Sequence, residues 1–247
     1  MLDHSSLKSF ANQVVDSCGS TNDIARKLAE NGYPHGTWTS ARRQTSGRGR
    51  LGRQWESVEG NLFLSLVLRM ESSQYWSWIP LTVAVALTKT LTKNFSTVKF
   101  RIKWPNDIWA ENSKLGGILC EATGQKPGSA IIVGIGLNTC FSPKGLDQKV
   151  TDLRSLTQTD FSCLNGFRSD VIQSVLNEIS ILTSSGCRSI DEFYTQWAQF
   201  PTGSKIRWGS PMQEGIVKGL GPLGELCVTD LKGRALRLLS EDLKSPI

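Results

Sequence analysis

Residues 47–55, reading GRGRLGRQW, set three arginines and three glycines in one short stretch. A run this cationic cannot be buried in a core, and one this rich in glycine does not hold a helix. It has to be a loop, and its chemistry suits the wrapping of an anion. Glycine lets the backbone approach a ligand closely and turn through positive φ. Arginine forks bind phosphate or carboxylate oxygens in pairs, each charge-assisted bond contributing roughly 1.5–3 kcal/mol. Gly47, Gly49 and Gly52 match the G-x-G-x-x-G dinucleotide spacing in form, but that fingerprint needs a strand before it and a helix opening at its end. Here Arg53, Gln54 and Trp55 follow, then a Gly60-Asn61 turn into the strand-like residues 62–69, with no room for a crossover helix. A Walker loop would close on Gly-Lys-Ser/Thr, and no glycine-rich segment does so. A basic disordered loop or a nonspecific nucleic-acid patch stays open on these residues alone.

A chain of 247 residues can bury a substantial core, as one large domain or as a domain with a small appendage. With 39% hydrophobic residues, 20% charged residues and eight tryptophans it reads as folded, since disordered chains are poor in aromatics. The longest apolar stretches, residues 79–87 and 130–137, fall well short of the ~20 residues that cross a bilayer, so no membrane span is expected. The first ten residues carry Asp3, His4 and Lys8 without an apolar segment, which argues against a secretory signal and for a cytoplasmic location. Six cysteines are widely spaced without a C-x-x-C pair, and only His4 and His35 could assist them. Buried structural thiols are expected, not zinc or disulfide frameworks. The net charge of +6 favours acidic partners.

Ser20-Thr21-Asn22-Asp23 precedes an alanine-rich, apolar-periodic segment that Gly32 closes, which predicts a helix with a capping box. Ser20 or Thr21 can serve simply as the N-cap, but free amides and hydroxyls at a helix start also suit a small polar head group. Strands are predicted over 37–41, 62–69, 98–103, 114–121 and 130–137, and helices over 75–94, 163–184 and 190–199. After Pro201-Thr202-Gly203 four short strands, over 205–208, 215–219, 225–229 and 235–239, predict a small β-barrel. The expectation is α+β: a mixed β-sheet with flanking helices over residues 1–200, then a barrel over residues 201–247.

Three further blocks carry polar groups at strand ends. Lys103-Trp104-Pro105-Asn106-Asp107 sets an amide beside a carboxylate after a proline turn; both are common turn residues. In Lys114-Leu115-Gly116-Gly117-Ile118-Leu119 a lysine opens a strand beside two glycines that admit close approach, although strand-end lysines are often just solvated. Gly134-Ile135-Gly136-Leu137-Asn138 closes an apolar strand, as a bulge or as room for a ring.

Together and in order, these blocks resemble the biotin–protein ligase family, also called biotin–[acetyl-CoA-carboxylase] ligases. The catalytic domain of that family carries STN, QxxGRGRxGRxW, KWPND, KxxGIL and GxGxN. Ser20 to Asn22, Gln44 to Trp55, Lys103 to Asp107, Lys114 to Leu119 and Gly134 to Asn138 match them. Lipoate ligases share the ancestral fold but are not expected to carry the arginine loop.

The resemblance implies a class II aminoacyl-tRNA synthetase-like catalytic domain with an SH3-like C-terminal barrel. It further implies formation of biotinyl-5′-AMP from biotin and ATP with Mg²⁺, and transfer to one lysine of a biotin carboxyl carrier domain. Lys114 would bridge the biotin carboxylate and the α-phosphate. Arg48 and Arg50 would hold the adenylate, and Arg53 the outgoing phosphates. Ser20, Thr21, Asn22 and Gln44 would bind the ureido ring, with Gly49 and Gly117 in the biotin pocket. Trp55 would pack on adenine, while Asn106 and Asn138 face the nucleotide. The second step needs a neutral amine, at a cost near ~4.6 kcal/mol for a lysine of pKa ~10.4 at pH 7, and Asp107 would orient the ammonium and accept its proton late. The metal ligands stay open. Only nineteen residues precede Ser20, where relatives that double as repressors carry a winged helix, so no DNA binding is expected. A homodimer is possible through a sheet edge. A noncatalytic nucleic-acid-binding protein is the competing class.

Overall fold

The structure is a computed structural model and describes residues 8–124, 129–146, 148–161 and 163–245. Its centre is a seven-stranded sheet in the order β1-β2-β3-β7-β6-β5-β4. The strands are β1 (Gln13–Cys18), β2 (Trp38–Gln44), β3 (Leu62–Arg69), β4 (Phe100–Lys103), β5 (Asp107–Ala110), β6 (Ser113–Ala122) and β7 (Ala130–Leu137). LFLSLVLR of β3 and AIIVGIGL of β7 are nearly continuous apolar runs because they pair at mid-sheet, from Leu62 opposite Leu137 to Arg69 opposite Ala130, and are covered on both faces. The pairings are antiparallel except β1 with β2.

Helix α1 (Thr21–Glu30) lays Ile24, Ala25, Leu28 and Ala29 against Val67, Ala130 and Ile132 on one face of the sheet. Burying Ile24 and Leu28 there contributes roughly 1.5–3 kcal/mol each. The opposite face carries the larger core, under helix α2 (Ile79–Asn94), with α4 (Asn165–Ser185) and α5 (Arg188–Trp197) beyond it. Short α3 (Leu153–Thr157) is capped by Asp152, whose carboxylate accepts from Ser155 N at 2.8 Å. A second, four-stranded antiparallel sheet in the order β11-β10-β9-β8 closes the chain, consistent with an SH3-like domain. Its strands are β8 (Lys205–Trp208), β9 (Gln213–Leu220), β10 (Leu226–Asp230) and β11 (Ala235–Leu238). Two indoles fasten it to the rest: Trp78 Nε1 donates to Pro222 O and Trp104 Nε1 to Gly224 O, both at 2.9 Å.

Several elements depart from the expected pattern. Edge strand β1, reading QVVDSC, is mostly exposed, so it lacks the apolar alternation that would mark it. β5 has four residues and follows a cis Trp104-Pro105 turn, which left it hidden in a loop. The predicted helix over 75–94 divides into a 3-10 turn at Ser73–Trp78 and then α2, with Pro80 in the first turn of α2, where its missing N–H costs nothing. The capping box does not form. Ser20 holds the N-cap position, but its side chain makes no cap bond, and the Asp23 carboxylate turns instead to Arg48.

Candidate active site

The five sequence blocks meet in one cleft enclosing about 1180 Å³, its open mouth included. Ser20, Thr21, Asn22, Gln44, Arg48 and Gly49 line it, as do Arg50, Arg53, Trp55 and Asn106, and Asp107, Lys114, Gly117 and Asn138. Every residue proposed from sequence for the site is therefore on one surface.

One end is rich in hydrogen-bonding groups. Ser20, Thr21 and Asn22 are buried at the start of α1. Gln44 Oε1 accepts from Thr21 N at 2.8 Å, and Gln44 Nε2 donates to Ser57 Oγ at 3.1 Å. Ser65, fully buried on β3, donates to Asn22 Oδ1 at 2.6 Å and lies 2.7 Å from Thr21 Oγ1. Asn22 Nδ2 donates to Glu121 Oε2 at 2.6 Å. Gly134, opposite Ser65 on β7, is required here, because a Cβ at that position would collide with the Asn22 carboxamide. Paired glycines Gly117 and Gly136 continue the floor, and the Trp55 indole rests on them: a Cβ on Gly136 would come within 2.5 Å of the ring. Trp55 Nε1 is buried without a partner among the described residues.

The arginine loop folds back on itself. Arg48 bridges Gln54, Gly49 N donates to Arg53 O at 2.7 Å, Trp55 N donates to Gly47 O at 2.9 Å, and Leu51 and Gly52 take positive φ at the tip. This hairpin sends its arginines to different places. Arg48 lies at the α1 end, paired twice with Asp23 at 2.7 and 2.9 Å and reaching Glu121 at 3.5 Å. Those bonds raise the Arg48 guanidinium above its ordinary range, and the Arg48 hydrogen bond holds the Asp23 carboxyl below its own against the opposing effect of burial. Arg50 lies at the other end, donating to Asn106 Oδ1 at 2.7 Å and Ser240 O at 2.5 Å. Burial pushes Arg50 below the usual arginine range. Arg53 pairs with Asp242, and Lys114 with Asp107 at 2.8 Å. Lys103, opposite Asp107 on β4, lies 4.8 Å over the Trp109 ring and is lowered by burial. The cations that line the cleft, Arg48, Arg50, Arg53 and Lys114, each have an oxygen partner that an incoming anion would have to replace.

The Biotin/lipoate A/B protein ligase family matches residues 14–138. The chain belongs to that family. Among similar proteins, the biotin–[acetyl-CoA-carboxylase] ligase of Mycobacterium tuberculosis is 27% identical over 241 residues, covering 93% of this chain and 87% of that one. The bifunctional ligase/repressor BirA of Bacillus subtilis is 36% identical over 165 residues, which is 65% of this chain and only half of the relative. In structure, the chain resembles the biotin protein ligase of Aquifex aeolicus in complex with biotin and ATP, with a TM-score of 0.80 at 24% identity, covering 95% of this chain and 98% of the other.

Within this cleft both asparagines expected to face a nucleotide line the surface, and each already carries hydrogen bonds to the protein. Asn106 is spent on Arg50 and on Ile118 O, and Asn138 donates to Thr151 O at 3.1 Å while its oxygen lies 3.5 Å from Asn61 Nδ2. Asn61 in turn accepts from the backbone amides of Thr139, Cys140 and Phe141. Sequence reasoning missed Ser65, Glu121, Asn61 and Asp242. Ser65 was legible as the one hydroxyl in an apolar strand; Asp242, far along the chain in a polar stretch, gave no signal.

Proposed function

We propose that this protein activates biotin with ATP as biotinyl-5′-AMP and passes the biotinyl group to one lysine of a biotin carboxyl carrier domain such as that of acetyl-CoA carboxylase. The observation that carries this reading is a single cleft with a hydrogen-bonding end at the start of α1, a glycine floor, and an end that gathers Arg50, Arg53 and Lys114. A ureido ring with an apolar chain and a terminal carboxylate fits the first two parts, and a triphosphate fits the third. The names of the similar proteins from Mycobacterium tuberculosis and Aquifex aeolicus point the same way.

In the first step a biotin carboxylate oxygen bonds the α-phosphorus, the bond to the β-phosphate oxygen breaks, and pyrophosphate leaves with the electron pair. Two anions meet, so Lys114 turns from Asp107 to stand between the carboxylate and the α-phosphate, with Arg50 on the adenylate and Arg53 toward the leaving group. Glu56, Asp107 and Asp242 are the carboxylates at the cleft, and no group of three metal-ligating side chains occurs among the described residues. With Asp107 and Asp242 paired to Lys114 and Arg53, that set fits an Mg²⁺ held chiefly by the nucleotide, with Glu56 as the lining carboxylate that could reach it. When bound, the ion would supply further neutralisation of phosphate charge. In the second step the acceptor nitrogen attacks the mixed anhydride and AMP departs. Asp107, released by Lys114, is then free to orient the ammonium and take its proton.

The test is to incubate the protein and Mg-ATP with biotin or, in parallel, with lipoate, identify the retained product by mass spectrometry, and then add a carrier domain. Biotinyl-5′-AMP that disappears as carrier is modified supports the reading. Product formed only with lipoate transfers the assignment to that acid, and no adenylate with either sinks it.

A further inference from the structure

The segment after β11 reaches back across the cationic end of the cleft. Ser240 O accepts from Arg50, and Asp242, itself lining the cleft, pairs with Arg53. This is a fixed strap and not a loose tail. Leu243 is buried, and Lys244 exchanges both backbone hydrogen bonds with Arg207 of β8, at 2.8 and 2.9 Å, so Asp242 sits two residues from a clamp. Its charge also acts on Arg50 and on Lys103. The second sheet thus delivers one carboxylate to the cations that the proposed reading assigns to the polyphosphate.

We propose that Asp242 is an internal stand-in for the phosphate anion, which lowers the affinity of the cleft for pyrophosphate and so promotes its release. This rests on the reading of that end as the nucleotide end. A phosphate group and a carboxylate compete for the same guanidinium face, so an arriving polyphosphate must displace Asp242 from Arg53, and Asp242 recovers Arg53 as pyrophosphate departs. Both side chains are about half exposed, at 51% and 52%, so the competition is modest and sensitive to salt.

The experiment is calorimetric titration of Mg²⁺-free inorganic pyrophosphate into the wild-type protein, Asp242→Asn, Arg53→Gln and the double variant, with biotin binding as the control. Asp242→Asn should bind pyrophosphate about three- to ten-fold tighter, with biotin affinity unchanged and the gain smaller in high salt. The gain should vanish on the Arg53→Gln background. A structural defect would weaken binding, so tightening separates the two roles. Equal or weaker affinity in Asp242→Asn, absence of binding in both proteins included, overturns the proposal. The activity reading fails separately, by lack of adenylate from biotin and ATP, which this titration does not measure.

Discussion

Lys114 Nζ lies 2.8 Å from Asp107 Oδ1 across the β5–β6 pair, with both side chains largely buried at 14% and 16% exposure. The contact joins the group assigned to the first chemical step with the group assigned to the second. On the proposed mechanism, a ligand anion that draws Lys114 away would also free Asp107, and one ion pair would order the two steps.

Lys114→Ala should lower adenylate formation by about 10²–10³-fold, the range for removing one group that stabilises developing charge. It also leaves the Asp107 carboxylate without its cation in a half-dry site, so the melting temperature should fall. Single-turnover adenylation and a thermal melt read these two effects separately; near-normal adenylation would remove Lys114 from the chemistry.

Asp107→Asn should slow transfer to the carrier by about 10²-fold, at the low end for general-base assistance, and slow adenylation far less. Pre-formed adenylate chased with carrier isolates the second step. Equal slowing of both would assign Asp107 to holding Lys114 in place.

Gly134→Ala puts a methyl group into the space of the Asn22 carboxamide, which Ser65 and Glu121 hold from two sides. Overpacking of this kind costs about 1–3 kcal/mol. The expected signature is a raised KM for biotin with the KM for ATP nearly unchanged; a rise confined to ATP would place the ureido end elsewhere.

How far the chain could be read before its structure followed from where its signals were local. β7 spans residues 130–137 as its apolar run predicted, since a buried central strand advertises itself. β1 and β5 were missed because an exposed edge strand and a four-residue strand carry no such pattern. In the cleft, Ser20 through Asn22, the arginine loop and Lys114 were legible because each lies in a short run whose residue types have a chemical meaning. The partners of those residues were not. Nothing in sequence links Arg48 to Glu121, or Arg53 to Asp242, since those pairs exist only once the sheets are assembled. Asp23 was read as part of a cap, and it was the position of Arg48 that claimed it.

Acid should act on that Asp23–Arg48 pair. The Asp23 carboxyl titrates below its unfolded value near ~3.9, so its contribution is present above that pH and is lost as pH falls through the lower, folded value. With 49% of the Asp23 side chain exposed, the effect is under about 1 kcal/mol. Urea unfolding at pH 7 and near pH 3 should show a stability deficit of Asp23→Asn that is smaller at the second than at the first; a gap undiminished in acid would assign the loss to something other than the charge.

Trp104→Phe removes the donor to Gly224 O and leaves that carbonyl unpaired between the two sheets. A loss of about 1–3 kcal/mol is expected. Hydrogen exchange should report it across β9 and β10 before β3 and β7; uniform loss across all four strands would mean that the two sheets unfold as one unit.

ATP–pyrophosphate exchange by the purified protein, with biotin, with lipoate and without either acid, tests the central claim most directly. The account predicts exchange that requires biotin and disappears in Lys114→Ala. Exchange with lipoate alone, or none with any acid, contradicts it.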